Sequence, residues 1–296
     1  MINKFLDYIS IEKRYSENTI ISYRKDLEDF LLFVSDTEGT SDLRKADKKV
    51  IRNFMAKLSE KQIHKRSINR KLSSLRSFYL FLLKIQEITI SPMETIPSLK
   101  FFAEKQIPMS EEEMMDLAEV LENDKDLVLE RLIIETLYQT GMRRAELCNL
   151  LAENVDFSTS EIRIKGKGNK ERVVPISSIL AQDLQKYREE RPVNEVSGTY
   201  FFVRENGKKI SEKFVYSIVN RYLSIVTSKE KKSPHILRHS FATHVLNHGA
   251  EISKVKKILG HSSLASTQVY TSGNIEQLKK VFNRAHPRAI KKDDEE

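Results

Sequence analysis

A single cysteine, Cys148, in 296 residues leaves no internal disulfide and no Cys-based metal centre for this chain to build. Cys148 falls on the apolar side of a predicted helix, where it reads as a small core residue. Long apolar runs are missing too. The longest, Phe78–Leu83, is far short of the roughly 20 residues that cross a bilayer, so no membrane partner is expected. Met1 opens directly into an amphipathic, charged helix rather than a secretory leader, and the expected location is cytoplasmic. No GxxxxGK[ST] segment offers a phosphate-cradling loop, and no HExxH offers a helix-borne zinc site. Internal repeats and low-complexity tracts are also absent.

What remains is an ordinary folded composition with a surplus of positive charge. Hydrophobic residues make up 40% and charged residues 31%, which excludes a disordered chain. A net charge of +8 favours a polyanionic partner. The length suits two domains better than one. Helical spacing governs the first 90 residues: Phe5, Leu6 and Ile9; then Ile20, Tyr23, Leu27, Phe30, Leu31 and Val34 after Ser16-Glu17-Asn18. Val50, Ile51, Phe54, Met55 and Leu58 follow Asp47, and Ile68, Leu72, Leu75, Tyr79 and Leu82 mark a fourth helix. Pro92, Pro97 and Pro108 then interrupt the pattern and mark a domain boundary. The predicted division is a helical domain over 1–97, a linker over 98–108 and a second domain over 109–296.

The second domain opens with a capping box, Ser110 with Glu113, flanked by Met109 and Met114 as a hydrophobic staple. A helix through Leu127–Tyr138 stops at Gly141, and a short helix follows. Ile162 and Ile164 alternate on one arm of a hairpin, Val174 and Ile176 on the other, with Gly166-Lys167-Gly168-Asn169 between them. Thr199–Val203 reads as a further strand. Helices run on to about residue 285, and the final KKDDEE reads as a frayed tail.

Residues 61–86 hold seven Lys or Arg and no Asp or Glu. A solvated helix face usually mixes its charges, so one-sided sign points to a nucleic-acid phosphate backbone. Lys65, Arg66, Arg70, Lys71 and Arg76 are the predicted DNA contacts, with the first four placed away from the Ile68/Leu72/Leu75 stripe.

Five of the seven histidines fall between residues 235 and 261. Ser233 and Pro234 suit N-cap and N1 positions, which puts His235 in a first helical turn and Arg238 on the same face. An imidazole and a guanidinium at a helix N-terminus make an anion site. His235/His239 and His244/His248 also have the i, i+4 spacing of metal ligands. With no third ligand on that face, and an apolar stripe through Leu237 and Phe241 fixing what points inward, zinc is the weaker reading. Taken singly, Arg143, Lys167 and Tyr270 are each as ordinary as any surface cation or core tyrosine.

Taken together they are not ordinary. The segments LYQTGMRRAELCNL, IRIKGKGNKERVVP, SPHILRHSFATHVLNHGA and KILGHSSLASTQVYT resemble the catalytic motifs of tyrosine site-specific recombinases, nearest to the bacterial Xer type. The resemblance runs along the whole chain and includes the ending His286-Pro287-Arg288-Ala289. It implies a mainly α fold: an N-terminal helical SAM-like core-binding domain, then a mixed α/β catalytic domain with a small antiparallel sheet. Carried onto this sequence, the family's arginines fall on Arg143 and Arg238 and its hairpin lysine on Lys167. Its histidines fall on His235 and His261, and its nucleophile on Tyr270. Arg144 and Ser272 depart from the family pattern, which has an apolar residue and often a histidine there.

The implied activity is DNA cleavage and rejoining through a 3′-phosphotyrosyl intermediate, without ATP, metal or other cofactor, serving chromosome-dimer resolution at cell division. The alternatives are an integrase of a mobile element with the same chemistry and a non-catalytic DNA-binding regulator. Implied partners are double-stranded DNA carrying a specific site, a homo- or hetero-tetramer with a recombinase paralogue, and an activating division-associated DNA translocase. Leu278, Val281 and Phe282 would anchor the C-terminal segment, either on a neighbouring subunit or on its own.

Overall fold

The structure is a computed structural model describing residues 1–101, 106–123, 127–166, 170–260 and 272–289, with the backbone alone for 272–275. The chain divides into two compact units, Met1–Glu104 and Lys105–Glu296. Among the described residues no helix is long and apolar enough to cross a membrane.

Four helices make the first unit: α1 (Ile2–Ile11), α2 (Glu17–Glu38), α3 (Lys48–Glu60) and α4 (Lys65–Lys84). The cap signals work as their chemistry requires. Asp47 accepts the Val50 N–H at 2.9 Å to start α3, and Gly39 ends α2 in the left-handed region. Phe5, Phe30, Ile51, Leu72, Phe78 and Leu82 lie in one core, which Met93 and Ile96 join. Asn69 of α4 exchanges two hydrogen bonds with the backbone of Leu99, so the chain is tied to α4 up to that point.

The basic face of α4 needs correction. Lys71 is buried, with its Nζ bonded to Asp26 at 3.1 Å and Asp29 at 2.5 Å on α2. Arg70 and the Ser74 hydroxyl meet the same Asp26, which is itself 1% exposed. Arg76 turns to the Ile96 carbonyl at 2.8 Å. Lys71 is three residues after Ile68 and four before Leu75, which puts it on the inward face rather than opposite it. The acidic partners missing from residues 61–86 come from α2. Lys65 and Arg66 are exposed at the start of α4.

The second unit begins on the predicted box: Ser110 N–H donates to the Glu113 carboxylate at 2.7 Å, and Glu113 N–H to the Ser110 hydroxyl at 3.1 Å. Met109 and Met114 are both buried beside it. After α5 (Glu111–Asn123), α6 (Val128–Thr140) is buried on nearly every side through its last three turns and forms the centre of the unit. The short α7 (Arg144–Cys148) leads to β1 (Val155–Asp156), β2 (Glu161–Lys165) and β3 (Glu171–Pro175). They form an antiparallel sheet in the order β1-β2-β3, with Ile162 opposite Val174 and Ile164 opposite Arg172. Strand β1 is not foreseen by the sequence pattern, because two residues carry no periodicity.

Thr199–Val203 is not a sheet strand. Between α8 (Ser178–Glu190) and α10 (Glu212–Val226), α9 (Glu195–Thr199) takes its start, and only isolated bridges, Leu151 to Tyr200 and Val203 to Lys209, follow. Its carbonyls are met by side chains instead of a ladder. Arg191 donates to the carbonyls of Ser197, Tyr200 and Phe201, and the Tyr187 hydroxyl bonds both N–H and C=O of Val203. Helices α11 (Pro234–Asn247), α12 (Ile252–Leu259) and α13 (Ser272–Ala285) complete the unit. Leu278 and Phe282 of α13 are buried.

Candidate active site

The site is assembled by two helix ends and two helix starts. Helix α6 stops at Gly141, where φ is +57° and where a Cβ would stand 2.7 Å from side chains of Leu259 and Phe241. Only glycine fits both the backbone and the space. The turn it makes delivers Arg143 to the N-cap of α7, where Glu146 accepts from the Arg143 backbone N–H and from its Nη1, both at 2.8 Å. Helix α11 starts at Pro234 after Ser233, placing His235 in the first turn and Arg238 one turn on. Arg238 is 5% exposed and directs Nη1 to the Gly141 carbonyl and Nη2 to the Leu259 carbonyl, the latter at 2.7 Å.

Arg143, His235 and Arg238 therefore line one cavity of about 370 Å³, together with Arg144, Glu212 and Tyr216. The structure brings these three sequence-predicted residues together. Lys167, His261 and Tyr270 lie outside the described residues. Arg144, the departure from the family pattern, is held at the rim by Glu212 through its Nε at 2.9 Å and Nη2 at 2.6 Å.

The electrostatics suit an anion. Burial, then repulsion from Arg143 and Arg172, lowers the Arg238 pKa to about 10, with Glu146 opposing. Partial desolvation, followed by the nearby Arg238, His239 and Arg143, holds His235 below its ordinary 6.5, so it is a neutral proton acceptor at pH 7. Burial raises the Glu146 carboxyl, but hydrogen bonds and charge from Arg172 and Arg143 outweigh it and keep the group ionised.

Two residues of this assembly escaped the sequence pattern, Glu146 and Arg172. Arg172 is 4% exposed and forks onto Glu146 at 2.6 and 3.1 Å. The strand alternation held the signal: Arg172 is in phase with Val174 and so must point inward. The histidine pairs resolve differently. His244 has both ring nitrogens engaged, by the Tyr138 hydroxyl and the Met109 carbonyl, each at 2.8 Å, and is a core residue. Among the described residues no group of three or more His, Cys, Asp or Glu is placed to hold a metal ion.

Comparison with known proteins shows the family of the chain. The model of the "Phage integrase family" matches residues 108–277, and that of the "Phage integrase, N-terminal SAM-like domain" matches residues 2–86. Tyrosine recombinase XerC of Staphylococcus haemolyticus (strain JCSC1435) is 36% identical over 291 residues, 97% of each chain. Tyrosine recombinase XerC of Pediococcus pentosaceus (strain ATCC 25745) is 36% identical over 301 residues, 98% of each chain. Among solved structures, the Tn1549 transposon integrase in complex with transposon right end DNA shares the fold at a TM-score of 0.72 and 19% identity, covering 94% of this chain and 98% of that one. XerH recombinase bound to palindromic difH substrate shares it at 0.71 and 22%, covering 95% and 83%. Since both domain models match in order and the relatives align along nearly its whole length, this chain belongs to the phage integrase family, the tyrosine recombinases.

Proposed function

We propose that the protein cleaves and rejoins double-stranded DNA at a specific site, with Tyr270 as nucleophile. The observation that carries the reading is the convergence of Arg143, His235 and Arg238 on one cavity at the start of α11. Two guanidiniums there are suited to the non-bridging oxygens of a phosphodiester, whose charge grows as the tyrosine attacks. The Tyr270 hydroxyl bonds to phosphorus and its proton passes to neutral His235. The bond to the 5′ oxygen breaks, and Lys167 supplies the proton that oxygen needs, with His261 a further donor to the phosphoryl group. The product is a 3′-phosphotyrosyl ester and a free 5′-hydroxyl. Because the ester is retained, the 5′-hydroxyl of another strand reverses the step without ATP.

In the first unit, Lys65, Arg66 and the exposed Arg70 are the proposed phosphate contacts, and the Lys71 and Arg76 pairings support a role in the fold for those two. The Xer names of the relatives support a finer reading: a tetramer of identical or paralogous subunits on two sites, resolving chromosome dimers at division, with a division-associated DNA translocase as activator. The test starts from the genomic fragment to which the full-length protein crosslinks. On a nicked duplex built from that fragment, wild-type protein forms an SDS-resistant adduct, while Tyr270→Phe binds and forms none. An adduct in Tyr270→Phe overturns the nucleophile assignment, and scattered rather than single genomic loci overturn dimer resolution.

A further inference from the structure

Arg172 leaves the hairpin on β3 opposite Ile164, and its side chain is sunk to 4% exposure. Taking a guanidinium out of water is costly unless its N–H groups find partners. Here Nη1 and Nη2 reach Oε1 and Oε2 of Glu146, and Nε donates to the Ile258 carbonyl at 2.7 Å. Glu146 in turn accepts from the backbone and the guanidinium of Arg143. Two glycines close around the pair. A Cβ on Gly260 would lie 3.3 Å from Cδ and Nη1 of Arg172, and one on Gly166 would lie 3.4 Å from Oε1 of Glu146.

Three segments thus meet on one buried ion pair: the hairpin at Gly166, the start of α7 at Arg143 and the end of α12 at Ile258–Gly260. Along the chain, Gly166 is followed by Lys167 and Gly260 by His261. We propose that Arg172 is a positioning residue for strand cleavage, fixing Arg143 relative to Gly166 and Gly260 through Glu146 and the Ile258 carbonyl. The proposal rests on the recombinase reading above. Its physical content is the sharing of Glu146. With Arg172 in place, one carboxylate serves two guanidiniums, and Arg143 keeps net positive charge for a phosphate. Without Arg172, Glu146 has Arg143 alone to neutralise it, and the arginine is claimed before DNA arrives.

The nicked duplex described above is the probe, with adduct rate at saturating protein and Kd for the intact duplex measured separately. Arg172→Met is expected to lower the adduct rate about 100-fold, the cost of misplacing a catalytic group by about 1 Å, with Kd changed less than about threefold. Arg172→Lys, which keeps the charge and loses the fork, is expected to fall about tenfold. Adding Glu146→Gln to Arg172→Met removes the carboxylate that captures Arg143 and should raise the rate above that of Arg172→Met. If Arg172→Met does not fold, the split between rate and Kd in Arg172→Lys decides. A wild-type rate in Arg172→Lys, a loss that tracks Kd in every variant, or a double variant no faster than Arg172→Met overturns the proposal. Absence of adduct in the wild type would instead sink the recombinase reading itself.

Discussion

Arg238 and Leu259 are joined by a 2.7 Å hydrogen bond from guanidinium Nη2 to a backbone carbonyl at the end of α12, and the same guanidinium reaches the Gly141 carbonyl beyond α6. Carbonyls at helix C-termini have no partner within their own helix and favour a nearby cation. One buried side chain therefore caps two helix ends and faces the cavity. Burial first, and then repulsion from Arg143 and Arg172, lower the Arg238 pKa to about 10, with Glu146 opposing them. A bound phosphate would relieve that repulsion.

Arg238→Lys separates these duties. A lysine has no planar fork and cannot serve both carbonyls in the same geometry. Leaving one buried carbonyl unmet costs about 1–3 kcal/mol, read as a lowered thermal midpoint. Losing a donor to the developing phosphoryl charge costs about 10²–10³ in the cleavage rate. A variant with a normal melting point and a normal rate would remove Arg238 from both roles.

His235 predicts the acid limb of the reaction. Its pKa is depressed by partial desolvation and by Arg238, so the free enzyme holds it neutral until the pH falls below 6.5. The kcat/KM profile for adduct formation should therefore stay level down to pH 6.5 and decline only below it. His235→Ala should lose about 10²–10⁴ in rate and the acid limb with it. An unchanged limb in that variant would give the proton to another group.

The extent to which the site could be read beforehand follows from how each signal is encoded. Caps are local: Asp47, Ser110 with Glu113, and Gly141 act within a few residues of themselves, so the sequence pattern places them correctly. His235 and Arg238 are tied by helix geometry, and their approach to Arg143 needed the recombinase resemblance as well as the spacing. The ion pairs were not legible. Lys71 with Asp26, and Arg172 with Glu146, each join elements far apart in the chain, and a charged residue at an inward position looks like a break in the stripe until its partner is known. The Thr199–Val203 segment failed for a related reason, because its backbone is satisfied by Arg191 and Tyr187 side chains that no local pattern announces.

The Asp26 cluster distinguishes a stabilising role in α4 from the proposed DNA contacts. Asp26→Ala removes a carboxylate that meets Arg70, Lys71 and Ser74, leaving Lys71 buried with Asp29 alone. A loss of about 3–5 kcal/mol is expected for a buried pair broken on one side, measured by urea denaturation of the full chain. Lys65→Ala and Arg66→Ala should leave stability unchanged. Each should reduce the slope of log K against log salt by about 0.9 for DNA binding. Lys71→Met should leave that slope alone, and a reduced slope would return Lys71 to the DNA surface.

His286 is expected to make the second unit acid-sensitive. Its ring is fully buried, stacked on Phe282 at 4.7 Å and set against Tyr138 at 5.0 Å and Phe241 at 5.5 Å. Its Nδ1 accepts the Arg288 backbone N–H at 3.1 Å. Burial above all drives its pKa down to about 3, and His244, buried beside Tyr138, is lowered for the same chief reason. In the unfolded chain both titrate near 6.5, so below that pH the unfolded state binds more protons than the native one. Their stability contribution is full above about pH 6.5 and is lost as pH falls towards the folded values, for His286 at about 1.4 kcal/mol per pH unit. His286→Phe keeps the aromatic stack and removes one titrating group. Between pH 6.5 and 5 its unfolding free energy should decline less steeply than that of the wild type, at the expense of about 1 kcal/mol at pH 7 for the Arg288 N–H left without its acceptor. Urea midpoints at half-unit pH intervals measure both terms, and an undiminished decline in the variant would show that other groups set the acid sensitivity.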